Sequence, residues 1–358
     1  MLDIPEWTVS LYDLNDNEIM DISKYVDLKL NLKLNDVSTC EFDIDMVQFE
    51  RLCASVNASP RNVLYPAKTE IKVSRNGNAL FGGIVSSADS NLGEIEKTIS
   101  VKADSYLQYF AKRLLKKTYV QTDRSQIAWD AINLAQSVPN GDLGITQGEL
   151  ATVFNSDLTA DYRDIKSIIQ LYTYAQPTTY DFEITPDKVF NTYLRLGSDR
   201  PEYELVYPWN IVSMGVPRNS DTLYNTVLGI GSGIGEERLQ TTKSDLISQQ
   251  TYRVLATKQT FNSVEKIDTL EENTEGFLVQ STGVLVLPSV TVNADAIDLD
   301  VVRVGDSLPV KVLGSTYNDD VDAMLRIYGM NITVDQNSFE TISLDFYRPD
   351  NGGEVDDI

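Results

Sequence analysis

Gly83-Ile84-Val85-Ser86-Ser87-Ala88-Asp89-Ser90-Asn91 and Gly329-Met330-Asn331-Ile332-Thr333-Val334-Asp335-Gln336-Asn337 align without a gap. Each leads to a near-identical segment, Thr98-Ile99-Ser100-Val101 in the first and Thr341-Ile342-Ser343-Leu344 in the second. Upstream, Ile71-Lys72-Val73 corresponds to Val310-Lys311-Val312. The shared order is strand, turn, strand with glycine, loop, closing strand, and such self-similarity marks a duplicated unit. Short Thr-Ile-Ser-Val runs are common because β-branched residues suit strands. The weight therefore lies in the agreement of order over three strands. The reading is two related tube-type β-barrels in one chain, the second split by an insertion.

Outward from the repeat, period-two patterning marks further strands. Trp7, Val9 and Leu11 alternate with polar residues, and Val26, Leu28, Leu30, Leu32 and Leu34 alternate with Asp27, Lys29, Asn31, Lys33 and Asn35. Cys40, Phe42 and Ile44 continue the pattern, and Asn76-Gly77 is a strong two-residue hairpin signal. An amphipathic helix is expected from about Asp104, with Tyr106, Leu107, Phe110 and Leu114 on one face. Its end carries Lys112, Arg113, Lys116 and Lys117, cations that suit a helix C-terminus or a solvated face; the alternative is a docking patch for an acidic neighbour.

Between about 120 and 200 the period changes. Ser125 is placed to cap a helix with Ile127, Trp129, Ile132, Leu134 and Ala135, and Asp161 or Asp164 to start another with Ile165, Ile168, Ile169 and Tyr172. Strands are expected at Tyr180–Ile184 and Val189–Leu196. Asn225–Gly231 reads as a strand of the second barrel, and a polar stretch from Glu236 to about Ser263 as a helix or long arm, followed by a helix at Val264–Gln280. The last strands are Leu308–Val312, Met324–Ile327, Asn331–Val334 and Thr341–Phe346.

The fold class expected is mainly β with α+β insertions. The division is 1–115, a first barrel with a trailing helix; 116–202, a small α+β domain; 203–235 with 296–349, the split second barrel; 236–295, an inserted domain or arm; and 350–358, an acidic, mobile tail.

Composition limits the chemistry. The chain has 358 residues, too many for one ordinary core, and its apolar fraction of 42% is that of folded proteins. No window approaches the ~18 apolar residues of a membrane span. No secretory signal is visible at Met1–Glu6, so a soluble protein made in a cytoplasm is expected. A net charge of −23 argues against binding through nucleic-acid phosphates, which takes clustered Lys and Arg. It serves solubility, or it lines a passage through which DNA moves without sticking. There is no histidine, which removes Ser-His-Asp and Cys-His nucleophiles and His-ligated zinc. Cys40 and Cys53 are too few for a Cys-only zinc site and are expected as free, partly buried thiols.

Several motifs mislead. In Gly229-Ile230-Gly231-Ser232-Gly233-Ile234-Gly235 the third glycine of a dinucleotide fingerprint is replaced by Ile234, and no Lys-Ser/Thr pair follows. Asp13, Asn15 and Asn17 begin like a calcium loop, but the required glycine is missing and Lys24 holds the twelfth position. Asp319-Asp320-Asp322 and Asp298-Asp300 read as solvated loops before they read as cation sites. A glycosidase needs only a carboxylate pair, and among 53 acidic residues none can be singled out. No catalytic, cofactor-binding or metal residue is assigned, and no cofactor is expected.

Three further stretches carry a family resemblance: Leu80-Phe81-Gly82-Gly83-Ile84-Val85 leading to Thr98–Tyr106, Tyr224–Gly231, and Val302-Arg303-Val304-Gly305-Asp306-Ser307-Leu308-Pro309-Val310 with its closing strand. In this order they resemble the baseplate-hub and tail-associated (tail tip) proteins of tailed phages, related to hubs of contractile injection systems. The resemblance implies a non-enzymatic, homotrimeric hub in the virion tail tip, assembled in the host cytoplasm. Such a hub caps or continues the tail tube and helps gate tape-measure and DNA exit. Its partners would be itself, a tail-tube or distal tail protein, the tape-measure protein and other tail-tip or receptor-binding proteins. DNA would be met only in passage, without stable membrane insertion. Many relatives add a C-terminal lytic or receptor-binding region, which is expected to be absent from a chain ending at Ile358. Two other functions compete. One is a carbohydrate-binding host-adhesion module using Trp7, Trp129, Trp209 and the 18 tyrosines; the other is a cell-wall-degrading tail enzyme.

Overall fold

Alternation builds the first strands. Along β1 (Trp7–Tyr12) every second residue is buried, and β1 forms a hairpin with β2 (Glu18–Ile22). At its turn the Asp13 carboxylate accepts hydrogen bonds from the backbone N–H of Asn15 and Asn17 at 2.8 and 3.0 Å. Next come β3 (Val26–Lys33) and β4 (Thr39–Asp45), then α1 (Met46–Ser55), capped by Asp45 through the Gln48 N–H at 2.8 Å. After the short α2 (Pro60–Val63), β5 (Glu70–Arg75), β6 (Asn78–Leu92) and β7 (Lys97–Ser105) form an antiparallel meander. The Asn76-Gly77 turn has the positive φ angles, 50° and 82°, that such hairpins require. The computed structural model describes residues 5–93, 97–174, 178–215, 218–220, 223–233, 238–261, 264–281, 285–286, 289–314 and 320–347. The 350–358 tail, Asp319 and the glycine-run positions Ile234 and Gly235 lie outside the described residues.

A middle unit follows. It holds β8 (Leu114–Asp123), α3 (Arg124–Gln136), β9 (Thr146–Leu150), β10 (Asn155–Asp164), α4 (Ile165–Leu171), β11 (Asp181–Ile184) and β12 (Val189–Tyr193). Its own core centres on Phe110, Ile127, Ile132, Ile168, Tyr180 and Phe190. The expected helix from Asp104 is only a 3-10 segment, Tyr106–Lys112. The run Thr118-Tyr119-Val120 favours a strand, so Leu114 is exposed on β8, which pairs with β10. The cap of α3 is Asp123, accepting from the Ser125 N–H at 2.9 Å, because a carboxylate two residues earlier reaches the orphan donor that Ser125 itself supplies. Asp164 caps α4.

The remaining strands are β13 (Leu205–Tyr207), β14 (Ile211–Gly215), β15 (Arg218–Asn219), β16 (Thr226–Ile230), β17 (Gln240–Ser244), β18 (Ala256–Thr260), β19 (Leu285–Val286), β20 (Ser289–Val292), β21 (Ser307–Val312), β22 (Val321–Val334) and β23 (Glu340–Tyr347). Helix α5 (Leu246–Tyr252) lies between β17 and β18, and α6 (Ile267–Ser281) follows β18. Thirteen strands make one sheet of path β14-β20-β23-β22-β3-β4-β7-β6-β5-β1-β2, with β21 beside β22 and β13 beside β21. The series β3-β4-β7-β6-β5 and β14-β20-β23-β22-β21 match in neighbours, in chain order and in antiparallel sense. The duplication is therefore one of ladder order, and β3 against β22 joins the copies edge to edge. A single core runs beneath both, from Val9, Leu30 and Phe42 to Val290, Ile327, Ile332 and Phe346.

Two sequence readings change. The gapless match of Gly83 to Gly329 is not the structural one. Matching the Thr98 and Thr341 segments across their ladders sets Gly329 level with Ser87, and matching β5 to β21 sets Gly83 level with Ala323. The slip is four residues on one side and six on the other; being even, it preserves which face each residue takes, so the alternation concealed it. The strand Asn225–Gly231 belongs elsewhere as well. β16 pairs with β17 and β18, and α6 packs against this small sheet, with Leu270 in a cluster with Phe261 and Val264. This unit enters the chain between β14 and β20, where the first copy has only the short turn between β3 and β4. β20 itself pairs with β23 in the large sheet, although its sequence fell within the expected insertion.

Candidate assembly surface

The large sheet buries one face and wets the other. On the wet face stand Asp27, Lys29 and Asn31 of β3, Glu41 and Asp43 of β4, Ser100 and Lys102 of β7, and Asn331 and Thr333 of β22. Residues from both copies thus share a surface that crosses the β3–β22 junction. Short contacts order it: Lys102 Nζ to Glu41 at 3.0 Å, Asn331 Nδ2 donating to Asp345 at 3.1 Å, and Thr291 against Ser343 at 2.9 Å. The hydrogen bond to Glu41, with its charge, holds the Lys102 ammonium above its ordinary range. A shallow groove of about 320 Å³ is lined by four carboxylates, Asp27, Glu41, Asp43 and Asp89, against two ammonium groups, Lys29 and Lys102. The lining of the groove thus carries an excess of two negative charges.

Buried ionic contacts fix the units around this sheet. Arg75 of β5 donates to Glu340 at 2.7 Å and Asp300 at 3.2 Å, and the Trp7 indole donates to Glu340 at 2.8 Å, tying the first copy to the second. The Arg326 guanidinium of β22 donates to Asp181 of the middle unit and to the Leu196 carbonyl. Asp306, fully buried, accepts from the Ser198 N–H at 2.6 Å and from Arg200 at 3.3 Å. Lys188 bridges Asp16 at 2.7 Å and Glu70 at 2.8 Å. Burial pushes the Glu70 carboxyl upward, and Lys188 and Tyr106 offset this only in part. Close approach also demands glycine: at Gly197 and Gly305, both with φ near +90°, a Cβ would run into the facing backbone.

The singled-out residues fall into place individually. Asp13 is held below the usual carboxylate range first by the Asn17 side-chain hydrogen bond, so the calcium-like spacing serves a hairpin turn. Asp298 and Asp300 are not merely solvated, since Asp300 is engaged by Arg75 and by Asn78 at 3.0 Å. Three of the four cations of the basic cluster meet groups of the middle unit: Arg113 donates to the carbonyls of Ala135 and Gly141, Lys117 pairs with Asp130 at 2.6 Å, and the exposed Lys116 lies 3.6 Å from Asp161, while Lys112 is exposed. Trp7 is buried and Trp129 stacks on Phe190 at 6.3 Å, which leaves Trp209, 84% exposed, as the tryptophan open to a partner. Both cysteines are free and buried. No group of three or more Cys, Asp or Glu suited to a metal occurs among the described residues, and no described helix is long and apolar enough to cross a membrane. Sequence reasoning missed the Arg75–Glu340 and Arg326–Asp181 pairs, whose partners lie far apart in the chain and carry no local signal.

Comparison with solved structures finds this fold along most of the chain. A tail protein from Neisseria meningitidis MC58 superposes with a TM-score of 0.65 at 13% identity, covering 96% of this chain and 97% of that one. The 43 kDa tail protein of prophage MuSo2 from Shewanella oneidensis gives 0.66 at 11% identity, with 96% and 99% covered. The prophage tail protein gp18 from Listeria monocytogenes EGD-e gives 0.55 at 11% identity, with 94% of each chain covered. No family model matches the sequence, and no curated protein does. At these identities the likeness is one of fold.

Proposed function

We propose that the chain is a structural hub subunit of a phage-type tail tip or baseplate, working by assembly. The observation that carries this reading is the duplicated ladder: two copies of one strand order lie side by side in a single sheet, joined edge to edge. Each copy supplies one sixth of a ring wall, so three chains make a three-fold ring with a six-fold inner surface. Such a ring caps or continues a six-fold tail tube. The wet sheet face forms its lumen, where an excess of carboxylates lets DNA pass without sticking. The tape-measure protein occupies that lumen until exit, and tail-tube and other tip proteins dock at the rims. The likeness to three tail proteins along nearly their full lengths supports this assignment.

Light scattering of the purified chain at rising concentration tests the reading. A mass of three chains is expected. A persistent monomer that also fails to enter tails would sink it.

A further inference from the structure

The inserted unit carries a charge unlike that of the rest of the chain. The 27 residues between Glu237 and Glu265 hold four cations, Arg238, Lys243, Arg253 and Lys258, against one carboxylate, Asp245. Everywhere else 26 cations face 52 carboxylates. A stretch of +3 therefore sits in a chain whose remainder is −26.

The middle of this stretch is α5 with its flanks. α5 connects β17 to β18 at the end of the small sheet where Ser244 and Ala256 both pair with Thr226. Asn225, buried, grips both ends of the connection. Its carbonyl accepts from the Asp245 N–H at 3.0 Å, its side-chain amide donates to the Arg253 carbonyl at 2.6 Å, and its amide oxygen accepts from the Leu255 N–H at 2.8 Å. The Asp245 carboxylate caps the helix, accepting from the N–H groups of Ile247 and Ser248 at 2.9 Å. α5 turns Ser248 inward, and at helical spacing Leu246, Ile247, Gln250 and Thr251 stand outward. Leu246 is 67% exposed, Ile247 80% and Val254 64%, and Tyr252 is partly exposed beside them. Lys243 is paired with Glu271 at 3.1 Å, whereas the exposed Arg253 and Lys258 have no ion pair among the described residues. A firmly held connection thus presents aliphatic side chains next to open cations.

We propose that α5 and its flanks seat on an anionic lipid surface, with Leu246, Ile247 and Val254 at the acyl-chain boundary and Arg253 and Lys258 on the headgroup phosphates. Charge selects the occupant and the orientation, since the remaining −26 of the chain is repelled by such a surface. Screening over about 8 Å at physiological salt lets the nearby cations act while distant carboxylates are damped. A bilayer takes side chains this exposed without a matching pocket, and Tyr252 suits its interface. The contact is peripheral, because seven helical residues fall far short of a span. A single chain carries it, so it does not depend on the ring reading.

Vesicle flotation with the full chain tests the proposal, using equal parts phosphatidylcholine and phosphatidylglycerol, and phosphatidylcholine alone. The chain is expected to float with the anionic vesicles and much less with the neutral ones. Leu246→Ser with Ile247→Ser is expected to abolish flotation, and Arg253→Gln with Lys258→Gln to weaken binding roughly 30-fold, at about fivefold per cation. Phe339→Ser, which removes an apolar side chain of similar exposure elsewhere, is expected to change nothing. Circular dichroism checks that the variants fold, as substitutions at exposed positions allow. No flotation of the unaltered chain, or flotation that survives Leu246→Ser with Ile247→Ser, overturns the proposal. Binding of poly-glutamate through these residues without vesicle binding also overturns it, and assigns the patch to an acidic protein surface. The mass of the assembled chain in light scattering is unaffected by any of these results.

Discussion

The far halves of β6 and β22 are the same strand in two settings. In β22, Met330, Ile332 and Val334 are buried and face Leu32, Leu30 and Leu28 of β3. Their ladder equivalents in β6 are Ala88, Ser90 and Leu92, of which Ser90 and Leu92 are exposed. The fold has been copied with its neighbours, but among the described residues the far half of β22 has a strand on both sides and that of β6 on one. Where β3 extends the sheet beside the strand its inward residues are large, aliphatic and buried, and where no ladder is described beside it the equivalent positions, Ala88, Ser90 and Leu92, are small, polar or exposed. The second difference lies in the β14–β20 connection. A whole unit enters there without disturbing the ladder, because a hairpin turn on the surface tolerates insertion.

The junction between the copies is the place where this comparison breaks most readily. Leu30 is 1% exposed and faces both Cys40 and Ile332. Leu30→Asp buries an unpaired charge between the copies and is expected to cost more than about 4 kcal/mol, enough to unfold the chain. Urea denaturation followed by circular dichroism measures it, and an unchanged midpoint would mean that β3 faces the other way. A finer contrast sets equivalent positions against each other. Ile332→Ala is expected to cost about 2–4 kcal/mol, whereas Ser90→Ala stays within about 0.5 kcal/mol in the isolated chain. Equal losses at the two sites would erase the distinction between a covered and an open strand.

The smallest expected effect concerns Cys40, which sits beneath β3 on β4. Burial, with a smaller push from Glu41, drives its thiol far above the ordinary value of 9.0. The folded thiol therefore keeps its proton where the unfolded one loses it, so this group's contribution to stability is full below that value and falls as pH rises past it. At pH 8 a thiol reagent is expected to leave Cys40 unmodified in the native protein and to label it after unfolding. Rapid native labelling would show that the junction opens.

What the sequence revealed depends on the range of each signal. Alternation over Trp7–Leu11 and Val26–Leu34 is local and marked the strands. The order of the repeat was visible because three strands agree in sequence. Its register was not, since bulges at Val85/Ser87 and Ile327/Gly329 shift the ladders while an even slip keeps the pattern intact. Val227 and Leu228 read as strand in any sheet, so nothing in Asn225–Gly231 could say that β17 and β18, and not β23, are its neighbours. The anchors Arg75–Glu340 and Arg326–Asp181 are tertiary facts without a motif. The candidate surface was legible only as an acidic composition; its placement on one wet face needed the pairing of strands.

Class averages of the purified protein, or of the particle that holds it, test the central claim most directly. The account predicts rings of three chains whose inner wall repeats six times, with the wet face of the sheet lining the lumen. Single-chain particles, or a ring that turns the acidic face outward, would contradict it.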